Sequence, residues 1–308
     1  MGHDHSHGHE GHAHAHPPVG SRAFAVSVGL NITFVMVEIV AGLLAHSMAL
    51  LADAAHNLSD VLGLILAWGA AYLARRKPSR RRTYGLRRST ILAALANAGL
   101  LLVAVGGVSW EAVGRFNSPT EVRGTIVIVV AAIGVVINCA SAAMFAKGRK
   151  DDANVRGAFL HLAADAAVSL GVVLAGIAMI TTRWSWIDPL VSIVVSVLIL
   201  GSTWSLLRES MNLALDAVPE GIDPEAVLDL LRGLDGVTAV HDLHIWPMST
   251  TETALTAHLV MTSAPCPPAF LRDVGDTLRE KFRIAHSTLQ IEPPDAPDEC
   301  AHAPDDVV

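Results

Sequence analysis

The sequence predicts an all-α domain of six membrane-spanning helices followed by a small α+β domain, and three observations predict it. Hydrophobic residues fill 52% of the 308 positions, too many for an ordinary water-soluble enzyme of this length. Apolar runs long enough to cross a bilayer, about 20 residues each, recur up to about Arg208. Beyond that point charges and prolines return, and no later run reaches spanning length. The net charge of −7 names no partner by itself. A lipid bilayer is the expected surroundings, and no nucleic-acid partner is expected.

The elements follow in order. Residues 23–74 are apolar except around His46 and Ser47, which gives two helices joined by a tight turn. Further spans fall at 91–110, 124–145, 157–180 and 187–207. The densest basic runs are Arg75, Arg76, Lys77, Pro78, Ser79, Arg80, Arg81, Arg82 and then Lys147, Gly148, Arg149, Lys150. Both follow even-numbered spans, so the positive-inside rule puts them, and both chain termini, in the cytoplasm. In the last domain Asp223 reads as a helix N-cap, Pro224 as the first helical residue and Gly233 as the stop. Strands at 237–246 and 253–261, a helix at 268–282 and a strand at 287–291 complete a sandwich with its helices on one face of the sheet. Strand alternation sets Thr256, His258 and Val260 on one face and Leu255, Leu259 and Met261 on the other. The chain thus divides into a His-rich tail (1–22), a membrane domain (23–208), an α+β domain (209–293) and a tail rich in Pro, Asp and Ala (294–308); both tails are expected to be disordered.

The N-terminal tail alternates His3, His5, His7, His9, His12, His14 and His16 with small and acidic residues. Such a composition packs no core and binds metal weakly, and its irregular spacing, with Asp4 and Glu10 interleaved, sets it apart from a purification tag. It lacks the charged-then-apolar pattern of a cleaved signal. The three cysteines, Cys139, Cys266 and Cys300, form no C-x-x-C pair, so neither a disulfide framework nor a thiolate zinc site is expected.

Polar residues inside the spans carry the chemistry, because a charge at the centre of a span costs on the order of 3 kcal/mol. The second span holds His56 and Asp60, and the fifth holds His161 and Asp165. In each, an imidazole and a carboxylate stand four residues apart on one helix face. Two such helices side by side offer two nitrogens and two oxygens, the four-ligand set that suits zinc. A structural ion pair between helices is the plainer reading of one such pair, but its repetition in two spans favours a metal or proton site. Asp53 and Glu38 are candidates for a supporting or pathway role. Asn31, Asn97 and Asn138 read as hydrogen-bonding groups between helices. Two rival functions are an intramembrane metallohydrolase and a metal sensor. The first needs an open coordination position and a general base, and no H-E-x-x-H occurs. The second leaves six spans unexplained.

Residues 47–60 (SMALLADAAHNLSD), 82–85 (RTYG), 161–165 (HLAAD) and 241–246 (HDLHIW) resemble the zinc-transporting branch of the cation diffusion facilitator family. The resemblance runs from Ala23 to Glu292. It implies a homodimer with a cytoplasmic ferredoxin-like, metallochaperone-like domain. It also implies a secondary transporter, not an enzyme, that exports a divalent metal ion, zinc first, by proton-coupled alternating access. Regulatory metal positions of the family fall on His241, His258, Gln290 and Glu292, of which His241, His258 and Glu292 are the expected ligands, with His244 and His286 behind them. Zinc is then both cargo and regulatory ion, with protons as counter-ion. Two departures stand out: Thr90 occupies a position where relatives carry a Glu, and the loop after the second span is basic, which repels a metal ion. An imidazole binds zinc only when neutral, and its unperturbed pKa of about 6.5 suits exchange of protons for metal near neutral pH. Two imidazoles favour zinc, cobalt or nickel over magnesium, calcium or manganese. Few cysteines and short external loops suit a bacterial inner membrane, with a eukaryotic organelle membrane as the alternative.

Overall fold

A computed structural model describes residues 22–118, 120–146, 153–262 and 268–294. The His-rich tail, the second basic run, Cys266, Cys300 and the C-terminal tail lie outside them. Six helices form the membrane domain: α1 (Arg22–Ala45), α2 (Met48–Ala74), α3 (Ser89–Asn117), α4 (Gly124–Phe145), α5 (Ala153–Thr182) and α6 (Ile187–Ala214). Among the described residues, α2 to α6 each contain a stretch long and apolar enough to cross a bilayer, and α1 has a shorter one over Asn31–Ala45. α3 and α6 each run seven residues beyond the expected ends of their spans at 110 and 207. α6 continues as helix past Leu207 to Ala214, because hydropathy falls there while helix formers such as Arg208, Glu209 and Met211 continue.

α2 is the hub, packing against α1, α3, α5 and α6, while α3 pairs with α6 and α4 with α5. The α4–α5 pair approaches closely through glycines. A Cβ at Gly124 would stand 3.1 Å from the Gly176 carbonyl oxygen, and one at Gly176 would stand 2.7 Å from Ile128. Small residues at such crossings let helices gain packing where lipid offers no hydrophobic driving force.

The α1–α2 turn is only two residues long. His46 adopts φ 55°, and His46 and Ser47 return their N–H groups to the Leu43 and Gly42 carbonyls at 3.3 and 3.0 Å, the Schellman closure of a helix end. Ser47 then caps α2 by accepting from Leu50 N–H at 3.2 Å. A third cap comes from far along the chain. Asp188, buried in the first turn of α6, accepts from the Ser47 hydroxyl at 2.5 Å and from the Met48 and Ala49 N–H groups at 2.7 and 3.3 Å. A carboxylate at a helix N-terminus satisfies orphan amides and complements the helix dipole. Asp188→Ala leaves these buried donors unpaired, so we expect a loss of about 3 kcal/mol in stability. Thermal unfolding in detergent checks this, and Asp188→Asn, which keeps one acceptor oxygen, should retain part of it.

The C-terminal domain runs α7 (Pro224–Arg232), β1 (Val237–Pro247), β2 (Thr253–Met261), α8 (Pro268–Phe282), β3 (Ile284–Glu292). Asp223 caps α7, accepting from Glu225 N–H, and Gly233 closes it, as the sequence predicts. β1 and β2 pair antiparallel, and β2 and β3 parallel, so α8 provides the crossover that parallel strands require. One face of the sheet packs Val240, Leu255, Ala257 and Leu259 together with Val227 and Leu231 of α7 and Val274 and Leu278 of α8. The other face carries the polar members of the alternation, His241 opposite His258.

A candidate metal site between α2 and α5

α2 and α5 meet where each places its His and Asp one turn apart. His56 Nε2 lies 3.2 Å from Asp165 Oδ1, and His161 Nε2 lies 3.2 Å from Asp60 Oδ2. Along the helices, His56 stands 3.9 Å from Asp60 and His161 3.5 Å from Asp165. The four side chains therefore close a ring of alternating nitrogen and oxygen, with the two imidazoles edge to face at 6.0 Å. Four donors bound to zinc at about 2.0–2.1 Å sit roughly 3.3 Å apart at tetrahedral corners, close to these edges. His56, Asp60 and Asp165 each offer one donor atom, and these three atoms all lie within 4.8 Å of one another. His161 joins through its contacts with the two carboxylates.

Exposure is graded across the ring. The His161 and Asp60 side chains are 52% and 40% exposed, whereas those of His56 and Asp165 are 15% and 8%. The exposed pair lies toward the α2 end that carries the basic loop. The buried pair lies toward the Ser47 and Asp188 end, with two further acids nearby. Asp53, fully buried, accepts from the Ser169 hydroxyl at 3.1 Å. Glu38, also buried, accepts from Asn57 Nδ2–H at 2.9 Å, and its other oxygen has no hydrogen-bond partner. Neither acid is in an ion pair with the ring. Sequence reasoning missed Asn57 and Ser169, which partner these acids, and Asp188, which reads in sequence as an ordinary first-turn acid.

In the C-terminal domain, His241, His258 and Glu292 come together from three strands, with one donor atom each within 4.8 Å of the others. Glu292 lies 2.9 Å from His258 Nδ1 and 3.3 Å from His241 Nε2. The latter approach has no hydrogen-bond geometry, and His241 Nε2 is buried without a hydrogen-bond partner. A buried nitrogen aimed at a carboxylate and a second imidazole fits a metal ligand. A register shift between His241 and His244 puts Asp242 at φ 52°, and the displaced carboxylate stands 3.4 Å from His258 Nε2 and 2.8 Å from His244 Nε2. Holding the far nitrogen of a ligating His is the usual work of an outer carboxylate. His244 and His286 do not join the three. The first pairs with Asp242, and the second meets Tyr84 edge to face at 5.9 Å. Gln290 donates to Glu292 at 2.9 Å.

Thr90 has a role of its own. Its hydroxyl donates to the Arg87 carbonyl at 3.1 Å and accepts from Thr250 N–H at 3.1 Å. Arg87 reaches Glu252 at 2.6 Å, and Arg88 pairs with Asp216. The start of α3 is thus bound to the β1–β2 turn and to the end of α6.

Comparison with known proteins agrees with this architecture. Residues 24–213 match the cation efflux transmembrane domain, and residues 219–294 match the cytoplasmic domain of cation efflux proteins. The chain is 36% identical over 277 residues to the metal cation efflux system protein CzcD of Cupriavidus metallidurans, covering 90% of this chain and 88% of that protein. It is 38% identical over 274 residues to the zinc transporter ZitB of Yersinia pestis, covering 88% of each. A Bacillus subtilis protein named as a cadmium, cobalt and zinc/H(+)-K(+) antiporter is 33% identical over 297 residues, covering 95% of this chain and 92% of that one. With both halves matched, the chain belongs to the cation efflux family of integral membrane metal transporters.

Proposed function

We propose that this transporter exports zinc in exchange for protons, and that His56, Asp60, His161 and Asp165 hold the ion during transit. The observation that carries the reading is the closed nitrogen–oxygen ring between α2 and α5, whose donor set and spacing suit tetrahedral zinc. Two carboxylates cancel the charge of a divalent ion, so the loaded site is neutral inside the bilayer when both imidazoles are neutral. An ion arriving from the basic-loop side meets the exposed His161 and Asp60 first. His56 and Asp165 complete the shell, and a rocking of α2 against α5 then opens the Asp53 and Glu38 side, where these acids line the way out and receive protons. Relatives named as zinc, cobalt and cadmium transporters, one of them as an antiporter with protons, support both the cargo and the exchange. Sealed vesicles of the purified chain test it. Zinc should accumulate, and accumulation should rise with a pH gradient; a chain that binds zinc but never moves it would sink the proposal.

The same reading makes the chain a homodimer of the inner membrane with both termini cytoplasmic. The His-rich tail gathers metal without being needed for flux, so its deletion should leave transport at saturating zinc intact. His241, His258 and Glu292 hold a regulatory metal, and Asp242 fixes the His258 ring with Nδ1 facing it. A metal there ties three strands together. At a zinc concentration about 100 times its dissociation constant, it should stabilise the full chain by about 2.7 kcal/mol. His258→Ala should remove the zinc-dependent part of this rise in melting temperature that belongs to the C-terminal domain, while flux at saturating zinc persists; loss of all flux would make the site part of the transport path instead.

A further inference from the structure

The basic loop between α2 and α3 is folded. Ser79 and Arg82 exchange backbone hydrogen bonds at 3.0 Å each way, and Gly85, at φ 72°, brings the chain back against the Arg76 carbonyl. Together with the β1–β2 turn the loop walls a cavity of about 530 Å³, lined by Arg75, Arg76, Lys77 and Arg87 on one side and by Ser249 and Thr251 on the other. That volume is in the range of small-molecule sites. Its one carboxylate, Glu252, is engaged by Arg87 at 2.6 Å. Arg76 lies over the Tyr72 ring at 5.6 Å, and the charged ends of Arg75 and Lys77 have no ion-pair partner among the described residues. The cavity therefore carries an excess of positive charge, and Ser249 and Thr251 line it, the Ser249 oxygen already accepting from the Thr251 and Glu252 N–H groups at 3.2 and 3.0 Å.

Its depth is marked independently. Trp68 and Tyr72, both exposed on the last turns of α2, lie one to two turns before Arg75. Exposed Trp and Tyr at the end of a spanning helix mark the headgroup level, which puts the cavity mouth among the phosphates.

We propose that the phosphate of an anionic phospholipid occupies this cavity, held by Arg75, Arg76 and Lys77 of the membrane domain and by Ser249 and Thr251 of the C-terminal domain. Basic pockets at the membrane face of spanning helices select anionic headgroups, and a divalent metal is repelled by the same charge. A phosphate here joins the two domains beside the Arg87–Glu252 pair, so the lipid braces the joint between the spanning helices and the metal-binding sheet. The site is independent of which ion the α2–α5 ring carries.

The test is lipid binding to the full-length chain in detergent, read by native mass spectrometry with phosphatidylglycerol and phosphatidylcholine in parallel. Phosphatidylglycerol should bind at low stoichiometry with about tenfold or greater preference over phosphatidylcholine. The double variant Arg75→Gln/Lys77→Gln should lose that preference, whereas Arg80→Gln/Arg81→Gln, on the same loop but outside the cavity lining, should keep it. Equal loss in both double variants would mean diffuse surface charge and overturn the proposal, as would no preference in the parent chain. Inorganic phosphate at millimolar concentration should leave the lipid bound; complete displacement would assign the site to the free anion and overturn the lipid. Unchanged melting temperature and elution volume establish that the variants fold, and Lys77→Gln alone replaces the double variant if it does not.

Discussion

Asp165→Ala should reduce zinc transport into sealed vesicles by roughly 100-fold or more while leaving a folded, monodisperse protein. Asp165 is the most buried member of the ring, and it approaches both imidazoles, at 3.2 Å to His56 and 3.5 Å to His161. Its removal takes away one of four ligands and leaves the zinc charge half compensated inside a span. One uncompensated charge there costs on the order of 3 kcal/mol, which is about a 100-fold loss in occupancy before the lost bond is counted. The fold should survive, because the Asp165 contacts lie within the ring while α2 and α5 are held by other helices: α2 by α1, α3 and α6, and α5 by α4. Asp165→Asn separates the causes, since it keeps the shape and removes the charge. Normal flux in either variant would remove Asp165 from the ion path.

Much of this was readable from the chain alone, and the reasons differ by feature. The helices were legible because lipid forces spanning segments to be apolar and internally hydrogen-bonded, and the α1–α2 break at His46 and Ser47 because two polar residues interrupt a long apolar run. The ring was legible because four-residue spacing fixes a helix face whatever the tertiary fold. The partners of the buried acids were not. Ser169 sits 116 residues from Asp53, and Ser47 sits 141 from Asp188; a serine in a spanning helix or at its cap carries no local sign of which acid it will meet. Asp242 was missed for another reason. Regular alternation would turn it away from His241, and only the register shift swings its carboxylate beside His258. The joint at Thr90 was equally hidden, because the departure from the family pattern was visible but its partner, the Thr250 amide, depends on how the domains meet.

Zinc affinity at the ring should fall steeply as pH is lowered, and the slope counts the imidazoles that bind. A proton and a metal ion compete for the same nitrogen lone pair. Lowering pH adds protons to the empty site and none to the loaded one, so the apparent Kd rises. If both His56 and His161 are ligands, the rise reaches about 100-fold per pH unit once both are protonated when free, and about 10-fold if only one is. At higher pH, with both neutral, the dependence flattens. Competition titration with a fluorescent chelator measures this in a chain that lacks the His-rich tail and carries His258→Ala, which removes both other zinc-binding regions from the reading. His161→Ala decides whether the exposed histidine, which stands outside the three-residue group of His56, Asp60 and Asp165, belongs to the shell. A slope that drops from two protons to one includes it, and an unchanged slope leaves a three-residue site of His56, Asp60 and Asp165. The same competition sets the direction of transport. In inside-out vesicles an acid lumen protonates the ring when it opens to that side and drives zinc off, so accumulation should rise with lumenal acidity and fall when the gradient is reversed. A Kd that does not change with pH would break the link between proton and metal at these residues.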